Sequence, residues 1–428
     1  MAFLGMRGTG DWSTDERPKN WRQGILYQYP NGSVPLTALM SKMRDEVTTD
    51  PEFNWWTKAL ATQGGAITAI YTDAALASAY ASGGVAGQTV YAKMAEAVAS
   101  EFREGHQVLM RDANHLDVDV TGKVVGVVRN GAVSYVAVRL LEADDNGAST
   151  DLSDADVIKI MGNINPEGGP MPASIKYDPT KFVNKTQIFR TSLEITGTAK
   201  ETTLRTEDAY KEAKRESLQY HSIEMENAFL YGVQSENIGA NGKPERTTDG
   251  LITFIKKYAP GNVSDFSLLA AYSGDSWLAS GEEWLDSMLE VIFRFGSGEK
   301  MVFAGTGAIL GINRLAKSAG QIQLQPTTVA YGMKVLQWIT PFGTIYLKTH
   351  PLFSLDATTR NSMLIFEPEN LRYRFVRNRD TKFIPDDGNH GKDRIDGVAE
   401  EWLTEAGMEF HHPNTAGFLT GMNTDNIV

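Results

Sequence analysis

Apolar and polar positions along the chain change rhythm several times, and each change marks an element. Residues 34–47 (VPLTALMSKMRDEV) place Leu36, Leu39, Met40 and Met43 on one face of a short predicted helix. Phe53-Asn54-Trp55-Trp56 follows, and then a stretch over 59–87, low in charge and full of Gly, Ser, Thr and Ala, that reads as an extended arm or loop. From 105 to 165 the chain turns β-rich. Residues 124–128 and 133–141 predict two strands around Asn130-Gly131, a dipeptide favoured in two-residue hairpins. Asp144-Asp145-Asn146-Gly147 predicts a further turn and 157–161 a further strand.

Residues 185–198 (KTQIFRTSLEITGT) alternate like one long strand and lead into a helix predicted over 207–231. Its first half is charged nearly all round, with Lys211, Glu212, Lys214, Arg215 and Glu216. Its second half has one stripe of Leu218, Met225 and Phe229 and another of Tyr220, Ile223 and Leu230. The helix should therefore run from an exposed start to a buried end. Asn241-Gly242 and residues 247–250 read as loops. A second helix is predicted from Ser280 with Glu283, a capping box, and from Trp284, Met288, Val291 and Phe295 at steps of four, three and four. A strand at 301–304, a helix at 308–317, a hairpin of 334–339 with 344–348, and strands at 362–366 and 371–376 complete the pattern.

An arm, a β-rich projection, one long helix, a mixed block and a late return of strands predict an α+β fold, not the alternation of a doubly wound enzyme. This order resembles the tailed-bacteriophage major capsid fold of the Hong-Kong-ninety-seven type. Local stretches carry the same resemblance: residues 162–168 (GNINPEG), 187–197 (QIFRTSLEITG), 246–252 (RTTDGLI) and 402–421. The resemblance implies an N-terminal arm and start of the peripheral domain over 1–100, and a β-rich inserted subdomain with an extended loop over 101–200. It further implies a spine helix over 201–246, an axial domain over 247–343, and a return to the peripheral domain with a tail over 344–428. It implies hexamers and pentamers of this chain closing into an icosahedral shell around double-stranded DNA, assembled in a bacterial cytoplasm. The chain begins almost directly with the arm, so a separate scaffolding protein is expected, beside a portal and a decoration protein as further partners. No lysine–asparagine pair stands out for covalent crosslinking. A portal or tail component, or an enzyme with an unrecognised site, are the alternatives.

Chemistry adds little to this picture. There is no cysteine in the 428 residues, which excludes disulfides, thiolate metal sites and cysteine nucleophiles. The net charge of −12 is the wrong sign for a dedicated nucleic-acid binder and favours solubility. No stretch approaches the roughly 20 apolar residues of a membrane span. Gly305-Thr306-Gly307 with Gly311 sits between a strand and a helix, but Leu310 occupies the place of a dinucleotide fingerprint's third glycine, and the first acid after it is Asp356. A tight turn is the expectation. The histidines His106, His115, His221, His350, His390, His411 and His412 form no HExxH pattern. His411 and His412 would face opposite ways in a strand. The acids of 386–393 miss the spacing of a calcium loop. No catalytic, cofactor or metal residue is assigned.

Charge contrast is the better clue. Arg372, Arg374, Arg377, Arg379 and Lys382 form a basic run, while 142–167 hold seven carboxylates and one lysine. Complementary charges set register between partners. The candidate intersubunit contacts are therefore Arg372, Arg374, Arg377 and Arg379 against Asp144 and Asp145, with Trp55 and Trp56 of the arm.

Overall fold

The computed structural model describes residue 36 and residues 45–428, apart from 59–61, 114–118, 145–150, 202, 205–206, 320–323, 331–332 and 386–396. The chain divides into two compact units. Lys58–Thr180 forms one, inserted into a body made of the chain up to Thr57 and from Lys181 onward. Most of the predicted helix at 34–47 lies outside the described residues, but its last part is strand β1 (Asp45–Thr48), followed by β2 (Glu52–Thr57).

The inserted unit is one seven-stranded antiparallel sheet. Its strands are β3 (Gly64–Ala66), β4 (Ala69–Tyr71), β5 (Thr89–Lys93), β6 (His106–Arg111), β7 (Asp119–Val128), β8 (Tyr135–Leu140) and β9 (Val157–Asn163). They lie in the order β3-β9-β6-β7-β8-β5-β4. The small-residue stretch expected as an arm thus supplies β3 and β4. The reason is close approach: a Cβ on Gly64 would stand 2.4 Å from the Ile158 carbonyl oxygen. Alternation at period two puts Val90, Val108, Val120, Val136 and Ile158 into a core closed by Phe102 and Leu152. Asn130-Gly131 is not a two-residue hairpin turn. The β7–β8 pair ends at Val128 opposite Tyr135. The loop between them holds a short 3-10 turn with Gly131 at φ +51°. The buried Ser134 closes that loop, its Oγ accepting from Asn130 N at 2.8 Å and donating to Gly131 O at 2.9 Å.

In the body, β10 (Thr180–Lys185) pairs with β2, and β11 (Gln187–Thr196) pairs along its length with a 14-residue strand late in the chain. Two-residue strands β12 (Thr203–Leu204) and β13 (Glu207–Asp208) precede the long helix Ala209–Tyr231. A hairpin, β14 (Ser235–Ile238) with β15 (Pro244–Thr247), stands where loops were expected around Asn241-Gly242, followed by a helix at Leu251–Tyr258. The remaining strands are β16 (Val263–Asp265), β17 (Glu299–Ala304), β18 (Leu324–Ala330), β19 (Met333–Thr340), β20 (Gly343–Thr349), β21 (Met363–Phe366), β22 (Leu371–Val376), β23 (Lys382–Ile384), β24 (Gly397–Phe410) and β25 (Gly417–Thr420). One sheet runs β1-β22-β24-β11 with β23 on β24, and the other runs β16-β25-β21-β17-β20-β19-β18.

The long helix packs on the first sheet by a stripe that apolar periodicity reveals only in its second half, at Met225, Phe229 and Leu230. Ser217, His221, Met225, Phe229 and Leu230 are buried, whereas Tyr220 is 59% exposed. His221 meets Thr191 Oγ1 of β11 at 3.0 Å and Thr404 Oγ1 of β24 at 2.7 Å. Trp402 Nε1 donates to Ser217 Oγ at 3.1 Å. The charged first half is not simply solvated either. The Lys214 ammonium sits 3.4 Å from the centre of the Phe383 ring, with Tyr210 and Trp402 near 6 Å. Such cation–π contacts contribute about 0.5–2 kcal/mol.

Against the second sheet lie helices Trp277–Phe293 and Thr306–Ala319. The first begins earlier than the Ser280–Glu283 capping box predicts: Ser276 is the N-cap position, and Ser280 Oγ instead donates back to Asp275 Oδ2. The register of burial shifts accordingly, to Trp277, Gly281, Trp284, Leu285, Leu289 and Ile292, leaving Phe295 52% exposed. Phe266, Trp277 and Trp284 meet edge to face with centroids 5.2–6.0 Å apart. Each such pair adds about 0.5–1.5 kcal/mol beyond area burial.

Candidate functional site

On β22 alternation sends Tyr373 and Phe375 toward the core and Arg372 and Arg374 the other way. Arg374 is already partnered: its Nε donates to Glu409 Oε2 at 2.5 Å, and Nη1 meets Glu46 Oε2 of β1 at 2.5 Å. Glu409 is 3% exposed. Burial raises its pKa, but His411 and Arg374 outweigh burial and hold the carboxyl below its usual range. Arg379 Nε likewise pairs with the buried Glu405. Both arginines therefore complete buried carboxylates of their own chain. Arg372, Arg377 and Lys382 have no ion pair among the described residues, and Arg377 and Lys382 are exposed.

The acidic partners expected for them are dispersed. Asp144 is 3% exposed; its Oδ2 accepts from Tyr80 Oη at 2.5 Å and from Leu152 N at 3.0 Å. Burial, then the Asp144 hydrogen bond, raises the Tyr80 pKa and keeps it a donor. Asp151 is also buried, capping Ser153 N at 2.8 Å. These two acids hold loops of the inserted unit, so they offer nothing to a neighbour. Asp145 lies outside the described residues. The two tryptophans part company as well. Trp55 is 6% exposed, between Phe182 and Phe254 with centroids 5.9 Å away, and so belongs to the core. Trp56, one residue on and on the other face of β2, is 59% exposed, with the Lys181 ammonium 5.9 Å from its ring.

Two further polar clusters are buried, and their residues lie too far apart in sequence for local pattern to pair them. Lys300, fully buried, donates to Glu367 Oε1 at 2.8 Å, Thr415 O at 2.9 Å and Phe295 O at 3.1 Å, one acceptor for each ammonium proton. Burial pulls its pKa down, and Glu367 opposes that. Glu226 of the long helix and His350 meet 2.9 Å apart, and Glu226 Oε1 also accepts from Leu36 N at 2.8 Å. These are ties between distant segments. No nucleophile–base pair opens from them to solvent.

The turn at Gly305-Thr306-Gly307 holds no room for a phosphate. A Cβ on Gly305 would stand 2.2 Å from Arg360 O, and Gly307 N and Ala308 N donate to that same carbonyl at 3.1 and 3.2 Å. A backbone oxygen thus occupies the place an anion would take at the helix start. His411 and His412 follow β24. His412 is left-handed at φ 52°, and His411 Nε2 pairs with Glu409. His106 and His221 are buried, and burial lowers both pKa values. His115, His390 and the whole acidic stretch 386–393 lie outside the described residues. Among the described residues no cluster of His, Asp and Glu is able to hold a metal ion, and no helix is long and apolar enough to cross a membrane. A cleft of about 480 Å³ between the start of β11 and the β14–β15 hairpin is lined by Gln187, Ile188, Lys243, Arg246 and Glu405, with mixed charge.

Comparison with known proteins bears on the whole chain. A family model described as SU10 major capsid protein matches residues 11–423. The major capsid protein of Pseudomonas phage PaMx41 is 21% identical over 420 residues, covering 94% of this chain and 92% of that one. Among solved structures, Mycobacterium phage Bobi aligns over 95% of this chain and 96% of its own, at 8% identity and a TM-score of 0.46. The capsid of Myoviridae phage XM1 aligns over 94% and 96%, at 10% identity and a TM-score of 0.43.

Proposed function

Because the chain belongs to the SU10 major capsid protein family, and so is a shell-forming phage capsid protein, we propose that it assembles as hexamers and pentamers into an icosahedral head around double-stranded DNA. The observation that carries this reading is the span of the family match, residues 11–423, which takes in both the body and the inserted unit. The role is mechanical and not enzymatic. Its partners are other copies of itself, a separate scaffolding protein, a portal and a decoration protein, and assembly takes place in the host bacterial cytoplasm. DNA is enclosed without sequence-specific contact, which suits a chain of net charge −12. Within the frame of domains set out above, the long helix Ala209–Tyr231 is the spine of the peripheral domain, and the axial domain over 247–343 holds β16 to β19 with two helices, its sheet completed by β20, β21 and β25 from the returning chain.

For intersubunit contacts we retain Arg372, Arg377 and Trp56, which are not consumed inside their own chain, and set aside Arg374, Arg379, Trp55 and Asp144, which are. Exposed tryptophan and arginine side chains are the kinds of residue that gain most from burial against a partner. The test is electron microscopy of the fast-sedimenting fraction after expressing the chain alone and with its neighbouring phage genes. Closed shells or sheets of hexamers are expected in at least one of the two. Rings of about a dozen subunits or tubes would favour a portal or tail role, and the absence of any large assembly in both would overturn the reading.

A further inference from the structure

The inserted unit is acidic overall, yet one face of its sheet is basic. Residues 58–180 contain 9 Lys and Arg against 15 Asp and Glu, a net −6. The strand register gathers the cations. Lys123 stands directly opposite Arg139, Lys93 opposite Tyr135, and Lys159 opposite Leu109. All of these alternate with the core valines and so share the face turned away from the core. Tyr71 and Tyr91 lie opposite each other on the same face, and Tyr91 meets Tyr135 edge to face at 5.5 Å.

Among the described residues, carboxylates are nearly absent from this face. Asp119 is bound to Arg111 at 2.8 Å, and Glu142, beyond the end of β8, accepts from Thr121 N at 2.5 Å. Lys93, Lys123, Arg139 and Lys159 have no ion pair among the described residues; Arg139 and Lys159 are exposed, Lys93 and Lys123 half-buried. Two like charges directly opposite across a strand pair are unfavourable in an isolated sheet. An arrangement that repels itself is relieved when carboxylates of a partner come between the cations.

We propose that this basic, tyrosine-bearing face is a contact between copies of the chain, and that it receives a carboxylate-rich surface of a neighbouring copy. The proposal rests on the capsid reading, which places copies side by side. Charge complementarity names the occupant. A chain of net charge −12 offers an excess of acids on every neighbour, and in the inserted unit alone Glu104, Asp154, Glu167 and Asp178 are exposed. A nucleic acid is the weaker candidate. Four cations on a unit of net −6 do not attract a polyanion from a distance, whereas discrete carboxylates engage them at contact range.

The experiment uses shells assembled from a mixture of isotopically heavy and light full-length chains. Zero-length carbodiimide crosslinking is expected to yield heavy–light peptide pairs joining Lys93, Lys123 or Lys159 to Asp or Glu. Amine labelling of the same lysines is expected to fall several-fold between dissociated chains and shells, whether the shells are empty or filled. The Lys123→Glu/Arg139→Glu variant, checked for its fold by circular dichroism, is expected to lose those crosslinks. Shells in which the three lysines stay as reactive as in free chains would overturn this proposal and leave the capsid reading intact. Protection confined to DNA-filled shells would overturn it in favour of nucleic acid. A chain that forms no shells at all would sink both.

Discussion

The Glu226 carboxylate and the His350 imidazole meet at 2.9 Å with no solvent access to either side chain. Because Glu226 Oε1 also accepts from Leu36 N, one oxygen ties the long helix, His350 just after β20, and Leu36 together. Replacing Glu226 by Ala leaves buried donors unpaired, at about 1–3 kcal/mol each. Glu226→Gln keeps the acceptor oxygen and is expected to lose distinctly less. Urea unfolding of the two variants checks this, and equal losses would argue against a role for that oxygen.

Stability is expected to fall as the solution is acidified from neutral pH toward pH 5. His221 and His106 have pKa values lowered by burial, so the folded chain binds fewer protons than the unfolded one below the ordinary histidine range near 6.5. Their contribution is therefore full above that value and lost as the pH drops through it. Glu409, held below the carboxylate range, adds a second loss at lower pH. His221→Gln is expected to flatten the slope between pH 7 and 5. Thermal melts across that window would show it, and an unchanged slope would exclude His221 as a major contributor.

Lys300→Met should be among the costliest single changes, about 3–5 kcal/mol, because it strands the Glu367 carboxylate beside an apolar wall. Adding Glu367→Gln removes the orphaned charge and is expected to recover part of that loss. A double-mutant cycle measured by chemical denaturation tests the coupling directly.

The basic run should split in two. Arg374→Glu sets a carboxylate against Glu409 and Glu46 and is expected to destabilise the monomer by about 3 kcal/mol or more. Arg372→Glu with Arg377→Glu is expected to leave the melting temperature within about 2 °C, since surface changes stay near ±0.5 kcal/mol, while shell formation drops. Normal shells from that pair of substitutions would remove these two residues from the interface.

Strand β11 was legible because apolar and polar residues alternate along much of its ten positions, and β8 because it is a short run rich in valine. The long helix was legible too, with Met225, Phe229 and Leu230 of its contact face, but not Ser217 and His221, which hold it down through hydrogen bonds that hydrophobic periodicity does not register. The β14–β15 hairpin escaped for a related reason. Neither strand holds a buried residue, so SENI and PERT carry no inward-facing rhythm. The capping box at Ser280 had the right letters one turn too late, since Ser276 starts that helix without a side-chain cap. Individual charges were visible throughout, but their pairing was not: Glu409 and Arg374 meet only once β22 and β24 are in register. The basic face of the inserted sheet was hidden for the same reason, as its four unpaired cations come from four different strands, β5, β7, β8 and β9.

The pairing of β2 with β10 has an evolutionary corollary. The chain leaves the body at Thr57 and re-enters at Lys181, and those two crossings are adjacent strands of one small ladder. A genome can therefore lengthen, swap or delete what lies between them while the scaffold on either side still closes, with a short turn standing in for more than a hundred residues. The same doorway offers a place to graft a foreign domain onto the chain.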